Sequence, residues 1–297
     1  QVLNNTLSNN QQEGWVAHGS DILYQGNTIS GNNSALNPCN SQCSGQIADW
    51  EAGGGKAWQT TGFTFTGNTV TGNGGAGIWF DTSNLDSTIT SNTVDCNYGA
   101  GIYMEIGYNF TITGNDVEGN GGGGSCAPGG GEKKGWAWGA GIQIRASQGC
   151  EGQCTNVSAA DNNYPSMISG NTVAGNYNGV TLIDSPDQGS TDCQDHSLGE
   201  GAYGPCKVLN VTVQDNGITM AQGATGGYDD GPSGAVFAGS NHFTGNHYCV
   251  ATPTPPNGDP SYGWFAWAEP WSWWSQWQAD GNDTAGTFAI TSATCLP

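Results

Sequence analysis

Positive charge is what this chain has least of. Four lysines and one arginine stand against 25 Asp and Glu in 297 residues, a formal net charge of −20. So few cations cannot track a phosphate backbone, which excludes nucleic-acid binding. Charged residues of either sign make up only 10%, against roughly 25% in an average soluble protein. No apolar run reaches the ~18 residues of a membrane-spanning helix, so no span is expected. Strong helix formers never gather into a long stretch of helical period, which excludes a helical bundle. Glycine, in contrast, numbers 50, and aromatics make up 10% with 12 tryptophans. Glycine alone would fit a disordered chain, but such chains are poor in aromatics and rich in charge. The composition is that of a folded protein.

Cysteine is plentiful. The ten residues Cys39, Cys43, Cys96, Cys126, Cys150, Cys154, Cys193, Cys206, Cys249 and Cys295 form an even set with close pairs. That pattern points to disulfides and an oxidising, extracellular setting. Cys39/Cys43, Cys150/Cys154 and Cys193/Cys206 are near enough to staple loops, while Cys96/Cys126 and Cys249/Cys295 can tie neighbouring turns. Zinc sites need CxxC or clustered histidines. Here the close spacings are CxxxC, and His18, His196, His242 and His247 are scattered, so no metal site is expected. The chain opens on Gln1 with no signal peptide in view, which reads as processed or trimmed secreted material.

A repeat organises the sequence. Gly67-Asn68-Thr69-Val70-Thr71-Gly72-Asn73 has relatives beginning at Asn5, Asn27, Asn92, Asn115, Asn171, Asn216 and Asn241. The close intervals are 22, 24, 23 and 25 residues, and the longer ones of 41, 56 and 45 hold Cys, Pro and Gly insertions. A leucine-rich repeat needs LxxLxL, which is absent, and the nine-residue period of calcium-binding β-helices is missing. Each copy instead carries short β-branched runs bounded by Gly and Asn, such as Phe63-Thr64-Phe65-Thr66. Asn suits tight left-handed corners, and stacked Asn side chains can hydrogen-bond in ladders. The fold class is therefore all-β, a right-handed parallel β-helix (solenoid) of about eight coils with loop insertions and a Trp-rich C-terminal cap. Handedness comes from the general chirality of parallel crossovers. Residues 1–250 are read as the β-helix and residues 251–297 as a Pro/Trp-rich capping segment, including a short helix that lays tryptophan rings over the final coil.

In a chain so poor in charge, its placement is informative. Gly77-Ile78-Trp79-Phe80-Asp81 aligns with Gly101-Ile102-Tyr103-Met104-Glu105 and with Gly141-Ile142-Gln143-Ile144-Arg145. Alternation turns Ile78, Phe80, Ile102, Met104, Ile142 and Ile144 to the core and the others outward. Stacking then predicts a column of Asp81, Glu105 and Arg145, extended below by Lys56, beside a column of Trp79, Tyr103 and Gln143. On a plain sheet face these residues would be a salt-bridge ladder. As a polysaccharide site, aromatic faces stack on sugar rings while two close carboxylates divide acid and base roles. The expected catalytic set is Asp81, Glu105, Arg145 and Lys56. Trp79, Tyr103, Gln143, Trp58, Trp136, Trp138 and Glu51 are the expected substrate contacts. Lyase chemistry would use Arg145 or Lys56 on a uronate, with Ca²⁺ on the carboxylates, but a net charge of −20 repels polyuronates. A neutral glycan fits better, and hydrolysis needs no cofactor.

The segments Trp50-Glu51-Ala52-Gly53-Gly54 with Lys56, GIWFDTSN (77–84), GIYMEIGYN (101–109), WAWGAGI (136–142) and FAWAEPWSWWSQWQADG (265–281) resemble those of bacterial secreted right-handed parallel β-helix repeat proteins, of the pectate-lyase-like superfamily. The resemblance implies the fold, a secreted location and, by analogy, action on carbohydrate. Such proteins usually carry further coils ahead of the first one seen here. An uncapped coil at Asn4-Asn5-Thr6 exposes strand edges that invite a second chain. The competing expectation is thus a structural subunit of an extracellular filament built by end-to-end stacking.

Overall fold

The computed structural model describes residues 1–33, 52–122, 126, 137–145, 165–184, 208–220, 223–229, 238–253, 263–267 and 271–297. Among the described residues, short strands stack into three sheets of eight, nine and eleven strands. A coil visits them in turn, as in Thr64–Thr66, Thr69–Thr71 and Ile78–Phe80, followed one rung on by Thr88–Thr90, Thr93–Asp95 and Ile102–Glu105. The rungs pair in parallel, as the repeat predicted.

Alternation within each short strand makes the core. Phe65, Ile89, Ile112, Ile168, Val213 and Phe243 form one buried column in register. Val70, Val94, Val117, Val173, Ile218 and Tyr248 form a second. Each such side chain contributes roughly 1.5–3 kcal/mol on burial. The flanking threonines, among them Thr64, Thr66, Thr88 and Thr90, face outward. They suit a half-buried pleated surface.

The asparagines of the repeat line the inside of the corners. Asn5, Asn27, Asn68, Asn92, Asn115, Asn171, Asn216 and Asn246 run in single file up the solenoid, each donating its backbone N–H and its Nδ2–H to Oδ1 of the next. The spare Nδ2 hydrogen goes to a core-strand carbonyl one coil back, for instance Asn92 to Phe65 at 3.0 Å. Both amide donors and both acceptor lone pairs are therefore used, with no water needed. A second file runs from Asn10 through Asn32, Asn73, Asn97 and Asn120 to Asn176.

One interval of the sequence reading is out of register. Asn216 bonds Asn246, 30 residues on, and not Asn241. Asn241 instead precedes the first-sheet strand His242–Thr244 and accepts the N–H of Val211. The motif slipped because Gly-Asn corners flank strands of the first and second sheets alike.

The first file ends on a carboxylate. Asp283, fully buried, accepts the N–H and Nδ2–H of Asn246 at 3.0 and 2.9 Å, the Tyr248 hydroxyl at 2.6 Å and the Trp277 indole N–H at 3.0 Å. Rungs continue past residue 250: Phe265–Trp267 joins the third sheet and Thr287–Ile290 the second. Between them the helix Trp274–Ala279 sets Trp277 against Phe243 and Phe265, each with ring centroids 5.0 Å apart.

Glycine directly precedes the third-sheet strands Ile78–Phe80 and Ile102–Glu105 for want of room. A Cβ on Gly101 would lie 2.7 Å from both the Gly141 carbonyl oxygen and Val117. Cys96–Cys126 and Cys249–Cys295 are disulfide-bonded, as their spacing suggested. Cys39, Cys43, Cys150, Cys154, Cys193 and Cys206 lie outside the described residues.

Replacing Asn115 by Asp keeps the shape but removes the donors to Asn171 and Ile89. The Asn115→Asp variant is expected to lose roughly 2–4 kcal/mol of stability at neutral pH, with no change in the urea m-value, as read by circular dichroism.

Candidate active site on the third sheet

The outer side of the third sheet carries the charge. Trp79, Tyr103 and Gln143 stand in register, as do Glu105 and Arg145, and Asp81 directly follows Phe80, the partner of Met104. The columns are those the alternation predicted. Lys56 differs: it pairs with Trp79, so it heads the aromatic column rather than the carboxylate one. Its ammonium reaches across to Asp81, with Nζ 2.6 Å from Oδ2. On the way it passes over the Trp79 ring, 4.4 Å from the centroid.

Glu105 is gripped from two sides. Arg145 Nη1 donates to Oε1 at 2.8 Å, and the Trp79 indole N–H donates to Oε2 at 3.1 Å. The guanidinium lies 5.8 Å from the Trp138 ring. Trp79 and Tyr103 stack on each other, with centroids 5.7 Å apart at 16°. With Ala76, Ala100 and Trp138 they make a small apolar cluster separate from the solenoid core. Lys56, Trp79, Tyr103, Glu105, Gln143 and Arg145 are all buried, although they face away from that core. Gln143 Oε1 accepts the N–H of Gly139. Glu51 and Trp136 lie outside the described residues.

Burial decides the electrostatics. It pushes the Glu105 carboxyl up from 4.5 to about 7, the nearby Asp81 carboxylate pushes the same way, and Arg145 together with the hydrogen bonds from Tyr103 and Trp79 pulls it back. Burial, then the Glu105 charge, holds the Tyr103 hydroxyl well above its ordinary value. A carboxyl that keeps a proton near neutrality thus sits beside a lysine-paired carboxylate. Carboxyl groups whose environments push their proton affinities apart in this way can divide acid and base roles.

The sequence reading did not foresee that the Trp79 indole would bond Glu105. The signal was present, because Glu105 lies two residues beyond Tyr103, the direct partner of Trp79, and such diagonal pairs are within reach of long side chains. His18 was counted only among the scattered histidines. Its ring lies 4.4 Å from that of Trp58 on this face. Among the described residues, no group of three or more His, Cys, Asp or Glu side chains converges as metal ligands would.

The chain belongs to the right-handed β-helix family, whose model, described as right handed beta helix region, matches residues 1–151. No curated protein and no solved structure matches it. Among the described residues no helix is long and apolar enough to cross a membrane.

The Glu105 shift has a signed consequence for stability. Its folded value lies above the unfolded one, so its contribution is full below about 4.5 and is lost as pH rises through about 7. Urea unfolding from pH 4 to 8 is expected to show the wild type losing stability relative to Glu105→Gln across that window, with a constant difference above it.

Proposed function

We propose that this protein is a secreted, carbohydrate-active β-helix that binds and cleaves a neutral polysaccharide, with Glu105 as general acid and Asp81 as its carboxylate partner. One observation carries the reading: two carboxyl groups on adjacent rungs, one buried and protonatable near neutrality, the other tied to Lys56. Arg145 and Trp79 fix the Glu105 carboxyl from its two oxygens, so they set its direction. Lyase action on a uronate is less well served. Both cations of the site are engaged by its own carboxylates, and a net charge of −20 repels a polyanion.

The test is incubation with a broad panel of neutral and uronate glycans, reading new reducing ends and unsaturated products together. Reducing ends from a neutral glycan without unsaturation are expected. Glu105→Gln and Asp81→Asn should each lower turnover by about 10²–10⁴-fold. The wild-type rate should fall as pH rises through about 7, where Glu105 loses its proton. Unsaturated products would move the reading to a lyase. No product from any glycan, together with long fibres in negative-stain images, would replace it with end-to-end stacking.

A further inference from the structure

The aromatic rings expected to meet sugar are not free to do so. Trp79 and Tyr103 are buried, with Trp79 also lying under the Lys56 ammonium. Trp58 differs, being 40% exposed. Its place is fixed by backbone hydrogen bonds. Ala57 pairs with Phe80, Asp81 donates its N–H to Ala57 at 2.9 Å, and Gln59 donates its N–H to Thr82 at 2.7 Å. These two bonds bracket Trp58 and set it level with Asp81 on the neighbouring rung.

The backbone is irregular at this point. The pairing of Glu13–Ser20 with Gly53–Thr61 shifts register between Ala17, which faces Ala57, and Gly19, which faces Thr60, so Trp58 and Gln59 bulge opposite the single residue His18. Gln59, next to Trp58, takes φ 49°, a left-handed conformation that a Gln adopts only at a cost. Bulges re-aim side chains, and this one sets the Trp58 indole against the exposed His18 imidazole, with ring centroids 4.4 Å apart and 34° between the planes. An exposed indole braced from one side and level with a site carboxylate is a platform for the C–H face of a sugar ring. Such a face meets the electron-rich ring surface while its hydroxyls stay in water.

We propose that Trp58, braced by His18, is the subsite that stacks a pyranose ring of a neutral glycan beside Asp81. This rests on the carbohydrate reading above and adds the place where the chain docks. The test uses the full-length Glu105→Gln protein, ¹⁵N-labelled at tryptophan, with neutral hexasaccharides of glucan, xylan, mannan and galactan type as probes. The Trp58 indole signal is the one missing from a Trp58→Phe variant. At least one hexasaccharide is expected to shift it. In calorimetric titrations Trp58→Ala should weaken that binding about tenfold, while Trp58→Phe, which keeps a ring, should retain most of it. An unshifted Trp58 signal with all probes would overturn the proposal, as would unchanged affinity in a folded Trp58→Ala variant. A shift without turnover by the wild type would remove the catalytic reading and leave the subsite standing. Turnover with no dependence of affinity on Trp58 would do the reverse.

Discussion

The file of buried asparagines is the constraint on which the rest of this molecule depends. A solenoid corner turns the backbone away from its own sheet and leaves polar groups facing inward, where no water reaches. Each asparagine answers that need twice, taking the bonds of the rung behind and handing its own to the rung ahead. The bond does not depend on how much chain intervenes. Nδ2 to Oδ1 is 2.9 Å across a separation of 23 residues, 2.9 Å across 41 and 2.9 Å across 56. Loops can therefore be inserted without disturbing the rung spacing, because the corners and not the connections hold the register.

That fixed register makes the outer face chemically specific. Neighbouring strands are held about 4.8 Å apart, so residues at one strand position on successive coils become obligatory neighbours. Asp81 and Glu105 are carboxyl groups brought together by the stack, each paired with a cation, Lys56 for the first and Arg145 for the second. Burial raises the stakes. A partner removed from a buried pair leaves an uncompensated charge, at a cost of roughly 3–5 kcal/mol. The aromatic cluster of Trp79 and Tyr103 supplies part of that dry surrounding.

Legibility in the sequence followed periodicity. The parallel coils, the inward Ile and Val columns, the asparagine files and the Trp79–Tyr103–Gln143 register all repeat, and a repeat can be aligned without a structure. The position of Lys56 was misjudged because the alignment rested on the Gly-Ile strand start, which Gly53–Thr61 does not share. Asn241 was misplaced because two corners of each coil carry the same short motif. The bulge at Trp58 and Gln59 and the exposure of Trp58 depend on local irregularity, which no repeat encodes.

Asp283 gives the solenoid a chemical terminus. Every asparagine both receives and donates, so any coil can be followed by another of its kind. A carboxylate only receives. It gathers the last donors of the file, much as an acidic residue satisfies the open N–H groups at the start of a helix. Tyr248 and Trp277 join it there, so its burial recruits the closing helix as well. A rung stacked beyond it would find no side-chain amide there to continue the file, so the same residue that completes the last corner also leaves that file closed.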